Sequence, residues 1–110
     1  MLFRSLRALP PRLVVLGGGP IGSELAQAFA RLGSKVTQVE MLPRLLARED
    51  PEASELVRRK FAAEGIDVRT GHKARQFLRE GGEKVLVCEH EGREVRIALD
   101  RKSTRLNSSH

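Results

Sequence analysis

Residues Leu13–Phe29 read LVVLGGGPIGSELAQAF: an apolar run, three consecutive glycines, then a segment with helical spacing. The run Arg12–Leu16 is short, continuous and rich in β-branched residues, which fits a strand buried on both faces, as in a parallel sheet. Gly17–Gly22 make a turn. Beyond it Ile21, Leu25, Phe29 and Leu32 recur at steps of four, four and three, predicting one apolar helix face. Gly33 then supplies the residue type that ends helices in a left-handed conformation. Lys35–Glu40 (KVTQVE) is a second strand, so Arg12–Glu40 forms a unit of strand, glycine turn, helix and strand. Such crossovers are right-handed, with their two strands parallel.

The turn carries the pattern Gly17-x-Gly19-x-x-Gly22, the dinucleotide fingerprint. In it the first glycine allows the tight turn, the second the approach of a pyrophosphate to the backbone, and the third close helix–strand packing. Gly18 falls on a variable position. The helix start offers free N–H groups and partial positive charge to phosphates, and Pro20 removes a donor that has no intrahelical partner anyway. Taken alone the motif is weak evidence. Here it follows a strand, opens a helix and is followed, eighteen residues after Gly22, by Glu40 at the end of the second strand. A carboxylate there accepts from an adenosine ribose and repels a 2′-phosphate, favouring NAD over NADP. Arg44 is read as a surface arginine.

Asp50 is a good N-cap and Pro51 a good first helical residue. Leu56, Val57 and Phe61 give the next helix its apolar stripe, up to Gly65, and Ile66–Thr70 is a third strand. From Lys73 the character changes. ARQFL, KVLVCEH and REVRIAL are separated by REGGE and EG, the glycine-bearing links of hairpins. The expected fold is therefore α/β: a Rossmann-like βαβαβ parallel sheet followed by an antiparallel three-stranded meander.

Composition narrows the function classes. The 110 residues allow one domain, 40% of them hydrophobic and 31% charged. No apolar run is long enough to span a membrane. Arg4, Arg7 and Arg12 interrupt the basic start, so residues 1–11 are read as a lead-in rather than a targeting segment. Cys88 is the lone cysteine, which excludes an internal disulfide and a Cys-rich metal site and fits a reducing, cytoplasmic setting. The net charge of +6 points at first to nucleic acid. Yet Asp100–His110 (DRKSTRLNSSH) reproduces, residue for residue, the translation of a common short-read sequencing adapter, and such scars are excluded from fold reasoning. That stretch holds three of the twenty Lys+Arg and one of the fourteen acids, so the charge without it is +4. The remaining cations alternate with acids, and no nucleic-acid partner is expected. On this reading 100–110 is a disordered tail, and the natural protein continues past Leu99.

In combination, LPPRLVVLGGGPIGSELAQAFARLGSKVTQVE, LPRLLARED and FAAEGIDVRTG resemble the NAD(P)-binding domain of the flavoprotein disulfide reductases, the dihydrolipoamide dehydrogenase, glutathione reductase and mercuric reductase group. The resemblance spans about Leu9–Leu99 and assigns 12–99 to that domain. It implies that Gly17, Gly19, Ile21 and Gly22 contact the pyrophosphate region, that Glu24 lies near the flavin–nicotinamide junction, that Glu40 holds the adenine ribose, and that Ala74 lies near the adenine. It also implies NAD bound here, FAD bound by another domain of the same parent chain, and a homodimeric parent in which NADH reduces the flavin. The chain departs from the family in lacking its paired redox cysteines, its closing strand and its catalytic histidine. No catalytic or metal-binding residue is therefore expected within it. Cys88 reads as core, and His72 and His90 have no suggestive partner in sequence. Two alternatives stay open: an FAD-binding Rossmann domain sharing the same fingerprint, and a non-enzymatic basic regulatory or nucleic-acid-binding domain. The first predicts a cysteine pair after the second strand, where MLPRLLAREDPEASEL has none; the second suffers from four Phe and no Tyr or Trp for stacking.

Overall fold

The computed structural model describes residues 9, 11–81, 83–99 and 103–107. Most of the lead-in 1–11 thus lies outside the described residues. Strand β1 (Arg12–Leu16) leads through the glycine turn into α1 (Pro20–Leu32), followed by β2 (Lys35–Glu40), α2 (Pro51–Ala63) and β3 (Asp67–Thr70). The chain continues with β4 (Lys73–Glu80), β5 (Glu83–His90), β6 (Arg93–Leu99) and β7 (Ser103–Asn107). The parallel sheet has the order β3-β2-β1-β7, and β4-β5-β6 form the antiparallel meander. The expected α/β architecture is the one observed.

Alternation along β1 explains why its apolar run is unbroken. Leu13 and Val15 pack with Ala26, Phe29, Val36, Leu45, Phe61 and Ile66 on the helix side. Val14 faces the other way, into a second core with Val39, Leu86, Cys88, Ile97 and Leu99 from the meander. The parallel sheet is thus the middle of three layers, and a strand covered on both faces has no solvent side to make polar. Cys88 is core, as its sequence setting suggests, and burial pushes its thiol above the usual range against the opposing pull of Arg69.

The terminators also behave as read. Gly33 caps α1 in the left-handed conformation at φ 112°, and Asp50 caps α2 by accepting from Ala53 N at 2.9 Å.

Two expectations need correction. The buried face of α1 is Gly22, Ser23, Ala26 and Phe29, whereas Ile21 and Leu32 are exposed. Small residues let the helix lie close on the sheet, and the bulky residues at neighbouring positions rotate outward. Leu56 on α2 is likewise exposed, with Phe61 and Ser54 inward. The second correction concerns the far edge. The sequence reading treats 100–110 as a disordered tail and leaves the sheet without a closing strand. In the structure Ser103–Asn107 lies parallel to β1, pairing Val14 with Arg105 and Val15 with Leu106. An unpaired β1 would present a row of open N–H and C=O groups, which an extended segment satisfies. Side-chain alternation fits this register: Leu106 packs on the helix-side core, and the Arg105 guanidinium lies 4.5 Å from the Phe77 ring centroid.

Candidate functional site

The glycine turn sits at the C-terminal end of the parallel strands, where ligands bind in open α/β sheets. Gly17 has φ 133°, a conformation that suits glycine. Every backbone hydrogen-bonding group of Gly17 and Gly18 is tied inward. Gly17 N–H donates to Val39 O at 2.8 Å, and Gly17 O accepts from Gln38 Nε2 at 3.0 Å. Gly18 N–H donates to Glu40 Oε1 at 2.8 Å, and Gly18 O accepts from Leu46 N at 2.8 Å. One residue further the pattern changes. Gly19 is the N-cap of α1 without a side-chain cap bond, and its carbonyl accepts from Ser23 N at 2.9 Å. The N–H groups of Gly19, Ile21 and Gly22 have no protein acceptor among the described residues. These are the orphan donors of a helix start, with the positive end of the helix dipole behind them.

Glu40 closes β2 and is 2% exposed. Its carboxylate bridges two loops, accepting from Gly18 N through Oε1 and from Leu42 N through Oε2, each at 2.8 Å. The sequence reading makes it a ribose acceptor only; the structure adds the task of holding the glycine turn. Gly18 is accordingly not a variable position. A Cβ there would lie 2.8 Å from Glu40 Cγ, 2.9 Å from Glu40 Cβ and 2.9 Å from Leu45 Cδ2. The sequence offered no signal for this, because the constraint comes from a side chain twenty-two residues away.

A cleft of about 240 Å³ opens beside the turn, lined by Leu16, Gly17, Val39, Glu40, Met41, His72, Lys73 and Ala74. Three of the residues expected to bind the dinucleotide, Gly17, Glu40 and Ala74, thus share one wall system. Gly19, Ile21 and Gly22 border the turn itself. Glu24 is set apart: it is exposed on α1, past the first turn, and does not line the cleft. Arg44 folds back on its own loop, donating to Ala47 O at 2.9 Å and Glu49 O at 3.3 Å. Two larger hollows, about 310 and 360 Å³, lie between the sheets, against Phe77 and Arg105 and against Arg12 and Arg96 respectively. Neither borders Gly18, Gly19 or Glu40.

Sequence reasoning also missed the surroundings of His72. Its ring stacks on that of His90, centroids 4.1 Å apart and planes within 8°. Nδ1 of His72 lies 2.7 Å from Thr70 O, and Nδ1 of His90 lies 2.9 Å from Gly71 O. The pair fastens the β3–β4 link to the end of β5 and so sets the rear of the cleft. Among the described residues no group of His, Cys, Asp and Glu is placed to hold a metal ion, and no helix is long and apolar enough to cross a membrane.

Comparison with known proteins converges on one family. Residues 12–92 match the family described as pyridine nucleotide-disulphide oxidoreductase. The chain is 39% identical over 103 residues to a dihydrolipoyl dehydrogenase of Thermus scotoductus, covering 89% of this chain and 22% of that protein. It is 47% identical over 76 residues to a mercuric reductase of Streptomyces lividans, covering 69% of this chain and 16% of that protein. Its fold superposes on the HOCl-induced flavoprotein disulfide reductase RclA of Escherichia coli with a TM-score of 0.80 at 30% identity, over 98% of this chain and 23% of that one. The chain spans about a fifth of the length of the relatives it matches.

Proposed function

The chain belongs to the pyridine nucleotide-disulphide oxidoreductase family, and on that premise we propose that it is the nicotinamide-dinucleotide-binding module of an FAD-dependent oxidoreductase. The observation that carries the reading is the division of labour at the glycine turn. Gly17 and Gly18 spend their backbone groups on the protein, while the amides of Gly19, Ile21 and Gly22 are left for an anion. The residues present fit the ADP half of a dinucleotide. The three amides serve the pyrophosphate. Glu40, at the end of β2, borders the cleft and serves the adenine ribose. Ala74 and Met41 flank the base. Glu24, exposed on α1, is kept for the flavin–nicotinamide side. When bound, the nicotinamide supplies a hydride to a flavin held by another domain of the parent protein, a homodimer that passes the electrons to a disulfide or similar acceptor. The chain's own residues bind and orient the cofactor; none of them performs chemistry on it.

NAD is favoured over NADP because the acid that would meet a 2′-phosphate is buried and held in place, and because Arg44 is occupied by two carbonyls of its own loop. An FAD-binding role is less well supported: the stretch after β2 carries no cysteine pair. A nucleic-acid role is disfavoured by the surface, where Arg31, Arg58, Arg59, Arg69, Arg75 and Arg96 each pair with an acid. Titration of the 110-residue chain with NADH, NADPH and FAD tests the assignment. Affinity should fall in the order NADH, NADPH, FAD. Tighter binding of FAD than of NADH would transfer the module to the flavin.

A further inference from the structure

Gln38 occupies the middle of β2, where Val36 and Val39 bury apolar side chains, and it is itself 0% exposed. A long primary amide is an awkward choice for that place. Its Nε2 donates to Gly17 O at 3.0 Å and to Ser23 Oγ at 3.2 Å, but its Oε1 has no hydrogen-bond partner among the described residues. An apolar side chain of similar volume would remove that unmatched acceptor but strand the buried Gly17 carbonyl instead, so the two penalties oppose each other and stability alone does not account for glutamine here.

What the amide does is local to the turn. It holds the carbonyl of Gly17 on the core side, and through Ser23 it extends to Gly18, since Ser23 Oγ lies 3.4 Å from Gly18 O. A carbonyl released from this grip would be free to turn its negative end toward an approaching phosphate. Resting on the dinucleotide reading above, we infer that Gln38 is a positioning residue: it keeps the glycine turn in the shape that leaves the Gly19, Ile21 and Gly22 amides to the pyrophosphate. It acts through Gly17 and Ser23 and touches no part of the cofactor itself.

This role separates from a packing role because it concerns the pyrophosphate and not the adenosine. The test uses the full chain with Gln38→Met, which keeps length and removes both polar atoms, and Gln38→Glu, which keeps shape but sets a carboxylate against the Gly17 carbonyl. Binding of NADH and of adenosine is measured alongside the thermal midpoint. Gln38→Met should weaken NADH about tenfold, the loss of one net hydrogen bond's worth of organisation. Adenosine affinity should stay within about twofold, and the midpoint within about 5 °C of the parent, because the stranded Gly17 carbonyl offsets the removal of the unmatched Oε1. Gln38→Glu should weaken NADH further. Unchanged NADH affinity in Gln38→Met, or equal losses for NADH and adenosine with a matching fall in midpoint, would overturn the inference while leaving the dinucleotide reading intact. Failure of the folded, unsubstituted chain to bind NADH would overturn both.

Discussion

Replacing Gly18 with alanine is expected to lower the stability of the domain by roughly 2–4 kcal/mol, from overpacking and from the strained charge-assisted bond to Glu40. The added methyl would lie within 2.9 Å of Glu40 Cβ and Cγ and of Leu45 Cδ2. Neither neighbour yields easily. Glu40 is pinned by two amides, and Leu45 is 1% exposed in the helix-side core. For a domain of this size the thermal midpoint should drop by about 10–20 °C, and NADH binding should fall with it as the turn shifts. Trimming the other wall discriminates this cause from a general intolerance of the position. In the Gly18→Ala, Leu45→Val double variant part of the loss should return, giving a coupling of roughly 0.5–3 kcal/mol. Strict additivity in thermal or urea denaturation would show that the crowding against Leu45 is not the reason.

The second large effect is at Glu40. Glu40→Ala strands the N–H groups of Gly18 and Leu42 and should lower stability by about 2–4 kcal/mol, since bonds to a charged partner are the stronger kind. Its effect on binding has two parts. Loosening the turn weakens any dinucleotide, whereas on the proposed assignment of Glu40 to the ribose its removal weakens NADH and relieves repulsion of a 2′-phosphate. The ratio of the two affinities separates them: the preference for NADH over NADPH should shrink by about tenfold or more, the worth of roughly one charged hydrogen bond. Equal losses for both cofactors, at an unchanged ratio, would leave Glu40 with the turn alone.

Much of this architecture was legible in the residues. The order of strands and helices, the meander after Lys73, and the caps at Gly33 and Asp50 follow from local chemistry, because a cap or a buried strand is decided within a few positions. The helix faces were less legible. Ile21 and Leu32 look like core by spacing, yet Gly22 and Ala26 face the sheet, because close approach selects small side chains over bulky ones. For the candidate site the residues gave positions and not contacts. Gly17, Glu40 and Ala74 line one cleft. The constraint on Gly18, the grip of Gln38 and the stacking of His72 on His90 are contacts between segments far apart in the chain, and no single stretch announces them. The strand at Ser103–Asn107 belongs with these: its pairing is set by the open edge of β1 rather than by a strong pattern of its own.

In the proposed complex the amides left unclaimed at the start of α1 receive the pyrophosphate of NADH while Glu40 and Ala74 face its adenosine. The most direct measurement follows backbone amide resonances of the isotopically labelled chain as NADH is added. Gly19, Ile21, Gly22 and Ala74 should shift together and saturably, with β4–β6 residues distant from the cleft, such as Val95, unmoved. Saturable shifts confined to the meander, or shifts at the turn with FAD and none with NADH, would contradict the account.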